Sequence, residues 1–267
     1  MSSNRLKLNP TKTEFMWLAT SRRLCLIDHS AIDVAGAQIV PSSCVKLLGV
    51  NIDEDISMGI QISKTVSSGF YYLRQIKSVR RHLQTDAATS LVIALVVSRL
   101  DYYNSIYAGL PRFSRTQLDR LQIVFNAAAR LIFGLPRSVH ITPLLRDRLH
   151  WLRVPERVTF KLCVIVFQAL HGTAPAYLKE MCVPSTTTER RATLRSATST
   201  AAASTTGRID EPKRTTRTLF GERAFAVAGP AAWNSLPADV RITNCFKNKK
   251  KQLKTHLFSL SFNVKHP

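Results

Sequence analysis

The spacing of apolar residues changes character near residue 60. Before that point they come in short runs bounded by polar residues, a pattern that predicts strands. Phe15-Met16-Trp17-Leu18 and Leu24-Cys25-Leu26-Ile27 are two such runs. Ala31 to Val40 suggests a hairpin about Ala35-Gly36, and Val45 to Ile52 a further strand. Strands this short need partners to form a stable sheet. From Ile60 the period is helical. Ile62, Val66, Phe70, Leu73, Ile76, Val79 and Leu83 recur at steps of three and four, which predicts one amphipathic helix. A second helix is expected from about Asp86 to Leu100, although Val92-Ile93 and Val96-Val97 would suit a strand as well.

Gly109-Leu110-Pro111 interrupts the pattern, and a third helix follows with Leu118, Leu121, Phe125, Ala128 and Ile132 along one stripe. Thr142 is placed to cap a short helix that has Pro143 in its first turn. Pro155 can open a helix through Leu170, ended by His171-Gly172. That helix is apolar almost all round, with Val158, Phe160, Leu162, Val164, Ile165, Val166 and Phe167, which places it at the centre of a bundle. From Pro184 to about Arg217 Ser, Thr, Ala and Arg dominate, the composition of a flexible basic linker. A last helix is expected over about Phe246 to Phe262. Phe246, Leu253, Leu257 and Leu260 are read on one face, and Lys247, Lys250, Lys251 and Lys254 on another. The fold class is α+β, mainly α, in four segments: a small β-rich piece (1–57), a helical domain (58–183), the linker (184–218) and a C-terminal extension (219–267).

Charge narrows the partner. The 38 Lys and Arg against 17 Asp and Glu give a net +21, a surplus that favours a polyanion. Nucleic acid is the first expectation and an anionic membrane surface the second. The longest apolar run, Leu91 to Val97, is too short to span a bilayer, and no secretory signal is visible. An intracellular place, nuclear and/or cytoplasmic, is expected. The five cysteines lack zinc-ligand or disulfide-framework spacing and read as reduced thiols.

Candidate chemistry is sparse. Among the seven histidines there is no His-Glu-x-x-His, and neither a Gly-x-Ser-x-Gly elbow nor a phosphate-binding glycine loop occurs. Asp53-Glu54-Asp55 is either a polar turn or a rebuilt metal site, and the turn is preferred. Asp101 is expected to bond locally, and His150 to end a helix. The stronger signal lies in basic helical faces. Arg74, Lys77 and Arg81 are spaced i, i+3, i+7, which suits successive phosphates or a solvated face equally. The lysines from Lys247 to Lys254 suit a phosphate-binding patch or a localisation signal.

One family accounts for much of this pattern. Arg5-Leu6-Lys7-Leu8-Asn9-Pro10-Thr11-Lys12-Thr13-Glu14-Phe15 resembles the fourth palm motif of reverse transcriptases from LINE-type non-LTR retrotransposons. Val45 to Asp53 is similar to the primer-grip hairpin of that family. Ser98-Arg99-Leu100-Asp101-Tyr102-Tyr103-Asn104, Leu118-Asp119-Arg120-Leu121-Gln122 and Leu149-His150-Trp151-Leu152-Arg153-Val154-Pro155 resemble the thumb of its jockey-like branch. Gly221-Glu222-Arg223-Ala224-Phe225 and Ala232-Trp233-Asn234-Ser235-Leu236-Pro237 match its C-terminal region. The resemblance implies the end of a palm, a primer grip at Leu48, Gly49 and Val50, a helical thumb and a C-terminal extension. It also implies a template-primer partner for Arg74, Lys77, Arg81, Lys247, Lys250, Lys251 and Lys254.

In that family Lys12 matches a lysine that can act beside the departing pyrophosphate. The family's Tyr-x-Asp-Asp signature is absent from these 267 residues. The expectation is therefore a piece of an RNA-directed DNA polymerase without catalytic or metal-binding residues of its own, inactive at Lys12. It needs no cofactor, whereas the intact family enzyme would need Mg. Two alternatives stay open: a co-opted nucleic-acid-binding or interaction protein, and a truncated element product without function.

Overall fold

Two separate two-stranded antiparallel sheets supply the strands, and helices supply most of the rest. In the computed structural model 61% of the described residues are helical and 7% lie in strands, an α+β fold that is mainly α. The structure describes residues 9–34, 36–110, 115–185, 207–211, 221, 223–243 and 245–263. The chain divides into two compact units, Met1–Ser67 and Ser68–Pro267.

In the first unit β1 (Ile32–Val34) pairs with β2 (Ala37–Ile39), and β3 (Cys44–Leu47) with β4 (Val50–Asp53). Both strand pairs fall in stretches where strand was expected, but Val45 to Ile52 is a hairpin instead of one strand. Leu47 faces Val50 across the two-residue turn Leu48-Gly49. Leu48 (φ 48°) and Gly49 (φ 85°) are both left-handed, the geometry that matches the twist of a two-residue hairpin. The runs at Phe15 and Leu24 are not strands. Phe15–Leu18 is extended without a ladder, and Ser21–Leu24 is a single helical turn, α1. Leu26 is 85% exposed, and among the described residues no strand pairs with this apolar run.

Helix α2 (Gly59–Val79) starts from an unusual approach. Ile56 (φ 51°) and Met58 (φ 62°) are left-handed although neither is glycine, and such backbone persists only where neighbours hold it. Asp53 does the holding. Its carboxylate accepts hydrogen bonds from Ser57 Oγ (2.6 Å) and from the amides of Met58 (2.9 Å) and Gly59 (3.1 Å), donors at the open N-terminus of the helix. Asn51 adds a second clasp. Its amide N–H groups donate to Gln61 Oε1, and Lys64 donates to its Oδ1 (2.6 Å).

The second unit is a helical body. A 3-10 turn, Arg80–His82, follows α2. Then α3 (Thr85–Val92), a π turn (Ile93–Val97) and α4 (Ser98–Asp101) run on as one helical stretch, so the helical reading of Val92 to Val97 holds over the strand alternative. α5 (Arg115–Phe133) approaches α2 closely at Gly69. Thr142 does not cap the short helix after it. It lies inside the first turn, whose opening bond runs from Leu145 N–H to Ile141 O (3.1 Å).

α6 (Val154–Leu170) buries Val158, Leu162, Cys163, Val166 and Phe167 and packs against α5, α7 (Ala176–Glu180), α8 (Phe225–Asn234) and α10 (Phe246–Phe262). Its all-round apolar surface reflects this central place. α9 (Ala238–Ile242) joins α8 to α10. In the segment read as a linker, residues 186–206 and 212–218 lie outside the described residues. The described parts pack: Pro184 bridges Ile209, which is buried, and Asn234 accepts from Ile209 N–H (3.1 Å) and donates to Ile209 O (2.8 Å). Trp233 Nε1 donates to Gly207 O (2.9 Å), so the Trp-Asn pair of the C-terminal motif anchors a passing strand of chain.

Candidate nucleic-acid interface

Lys12 ends a 3-10 turn, Pro10–Lys12, and is exposed; residues 5–8 of its motif lie outside the described residues. Leu48 and Gly49 stand exposed at the tip of the β3–β4 turn, while Val50 points into the first unit. In the acidic tripeptide, Asp53 is buried and spends its carboxylate on the start of α2, and Asp55 accepts from Ser57 N–H (3.0 Å). A carboxylate already holding three donors does not fit the paired, outward-facing ligands that two magnesium ions require. Among the described residues no three His, Cys, Asp or Glu side chains gather as a metal-binding cluster.

The cations expected on one helical face are disposed differently: Arg74 and Lys77 lie on α2, but the α-helix ends at Val79 and Arg81 lies on the 3-10 turn that follows. Arg74, Lys77 and Arg81 are all exposed, and none pairs with a carboxylate among the described residues. Arg80, one residue away, has another task. Its guanidinium donates to Leu131 O (3.0 Å), Ile132 O and Leu83 O (2.8 Å), which caps the carbonyl end of α5. This bond set fixes the Arg80–His82 turn and leaves Arg81 outward. Tyr71 is exposed three residues before Arg74, an aromatic face beside a cation, the pairing that suits a base and its phosphate.

On α10, Lys247, Lys250, Lys251 and Lys254 are exposed, and Lys250 Nζ lies 4.1 Å from the centre of the Phe246 ring. The apolar face differs from expectation. Leu253 and Leu257 are buried, but Leu260 is exposed and Phe246 sits at the margin, stacked 5.7 Å from Phe167. Lys249 replaces them on the buried side at 2% exposure. Its ammonium donates to Val240 O and Arg241 O (2.9 Å), 4.2 Å from the Trp233 ring centre and 5.4 Å from that of Phe167. Burial pushes it down from 10.5 to about 8. Lys249 is therefore a core residue and no part of a phosphate-binding face.

Two further candidates are also structural. Asp101 does not bond only locally: Arg157 of α6 donates to both its oxygens, with Nε at 2.7 Å, and stacks 5.0 Å over Phe125. His150 follows the π turn Leu144–Arg148 with φ 50° and its ring 6.1 Å from Phe258. All five cysteines are free, and burial raises the Cys163 thiol to about 12 despite the nearby Lys249 ammonium. No helix among the described residues is long and apolar enough to cross a membrane. Compared with known proteins, the chain matches no family model, no curated protein and no solved structure.

Proposed function

We propose that this chain holds nucleic acid through its phosphates and does not itself polymerise. That is the role the template-primer-holding part of a LINE-type reverse transcriptase would have, inside the nucleus or cytoplasm. The observation that carries the reading is a set of outward cations without carboxylate partners among the described residues: Arg74 and Lys77 on α2, Arg81 on the 3-10 turn after it, and Lys247, Lys250, Lys251 and Lys254 on α10, within a chain of net charge +21. Cations already paired inside the protein release no counterions on binding; unpaired outward ones do. The family reading rests on the sequence blocks and adds what the nucleic acid would be: an RNA template with its DNA primer.

The test is a salt titration of binding to duplex and single-stranded oligonucleotides. Log K should fall against log salt by about 0.9 per phosphate on duplex and about 0.7 on single strands. Changing Arg74, Lys77 and Arg81 together to Ala should reduce the slope by roughly two to three units. Between about 50 and 200 mM salt the parent then loses roughly 40-fold more affinity than the variant. Changing Lys247, Lys250, Lys251 and Lys254 to Ala tests the other face, with Lys249 left in place. A flat salt response rejects phosphate binding.

A second measurement concerns chemistry. With magnesium or manganese the purified chain should not extend a primer on an RNA or DNA template. Extension that disappears in Asp55→Asn, a change that leaves the Asp53 clasp intact, would restore the acidic tripeptide as a metal site.

A further inference from the structure

The outward cations suit a duplex and a single strand alike; the rings beside Arg74 do not. Tyr71 lies one turn before Arg74 on α2 and is 50% exposed. Its ring meets that of Tyr72 edge to face, with centres 5.2 Å apart and planes at 83°. Tyr72 is held in turn from α4. Arg99 Nη2 donates to its hydroxyl (2.9 Å), and the guanidinium carbon stands 4.5 Å from the ring centre. The exposed tyrosine therefore leans on a ring that is itself pinned by a hydrogen bond and a stacked cation. A side chain braced in this way loses less rotamer freedom when a ligand covers it.

The charge around these rings is of one sign. From Ile56 through Thr85 the chain carries no Asp or Glu. Arg74 and Arg99 are both exposed, and neither pairs with a carboxylate among the described residues. A cation one turn from a braced aromatic ring matches a base and its phosphate. In a duplex, however, each base is covered on both faces by its neighbours and shows a protein only its edges. A tyrosine can stack only on a base that is out of that arrangement.

We propose that Tyr71 stacks an unpaired base of a single-stranded nucleic acid while Arg74 holds that strand's phosphate. Arg99 is a positioning residue: it fixes Tyr72, against which Tyr71 rests. The inference rests on the phosphate-binding reading, because Arg74 belongs to the outward cations. It deepens that reading by naming the state of the strand and the residue that selects it. Every base has a π face, so the preference is for unpaired bases and not for one sequence.

The measurement compares three probes on the full chain: an eight-nucleotide oligothymidylate, an abasic strand with the same phosphates, and a duplex. The parent should bind the base-bearing strand roughly 5- to 150-fold more tightly than the abasic one. Tyr71→Ala, a change that an exposed helical position accepts, should bring that ratio to about one. Its duplex affinity and salt slope should match the parent's, which also shows that the helix is intact. Tyr71→Trp should keep or raise the ratio, because the larger ring still stacks. Arg99→Lys keeps the charge, and so the slope, but gives up the planar stack on Tyr72; its ratio should fall part of the way. Equal binding of the two strands by the parent, or a ratio that survives Tyr71→Ala, overturns the proposal. A ratio unmoved in Arg99→Lys overturns the role given to Arg99. A steep salt response with a ratio of one rejects the stacked base and keeps the phosphate contacts. A flat response with the ratio intact does the reverse.

Discussion

Replacing Lys249 by alanine should lower the stability of the helical unit by about 3–5 kcal/mol, read as a drop in the denaturant midpoint. Two losses add. The side chain fills space beside Trp233 and Leu253, and truncation leaves a cavity there. Val240 O and Arg241 O also lose their shared donor. Lys249→Met keeps most of the stem volume and loses only the donor, so it should cost about 1–3 kcal/mol.

The two variants also separate by pH. The ammonium titrates at about 8 in the folded chain against 10.5 in the unfolded one. Between those values the unfolded chain keeps a proton that the folded chain has shed, so wild-type stability rises with pH through that window. Below about pH 8 both states are protonated, and the full penalty for burying the charge is present. Lys249→Met has no such group. The wild type should therefore gain on it from pH 8 towards 10.5. Parallel curves across that window would mean that the ammonium is not buried in the folded chain.

The second large effect concerns the approach of α2 to α5. A Cβ added at Gly69 would lie 2.7 Å from Cγ1 of Val124, which is fully buried. Gly69→Ala combines a helix-propensity gain of about 1 kcal/mol with an overpacking penalty of about 1–3 kcal/mol, so its net cost should be small. Gly69→Leu cannot be absorbed in the same way and should cost about 3 kcal/mol or more. Adding Val124→Ala should return part of that loss, with a coupling of about 1–2 kcal/mol in a double-mutant cycle. Additive effects, with no coupling, would show that the two helices do not meet at this glycine.

The helical framework was legible because its periods are long and regular. α10 spans Phe246–Phe262 as its spacing suggested, and the all-apolar α6 is central. The phase of α10 was harder to read. Lys249, Leu253, Leu257 and Ser261, four residues apart, are its buried row. The lysine therefore sat on the apolar face in plain view, and its charge concealed it. What justifies the burial, two backbone carbonyls at the end of α9, cannot be read from spacing.

The short elements misled for a different reason. Leu24 to Ile27 is apolar enough for a strand, but a strand exists only through a partner, and none lies beside it among the described residues. The turn reading of Asp53-Glu54-Asp55 came from composition, while the task of Asp53 at the start of α2 came only with the fold. Asp101 shows the same limit: Arg157, 56 positions away, is invisible to any local pattern.

The bridge from Pro184 to Ile209 has a consequence for the integrity of the molecule. Ser185 N–H also bonds Arg208 O (3.2 Å), so two described segments distant in sequence meet at one place. Beyond that meeting point, Trp233, Leu236, Val240, Leu253 and Leu257 belong to the same apolar core as Cys163, Val166 and Phe167 of α6. Covalent continuity between Ser185 and Gly207 is thus not what holds α8 and α10 against α6. A peptide bond severed between them would leave two mutually indispensable pieces clasped together, each supplying the other's missing interior.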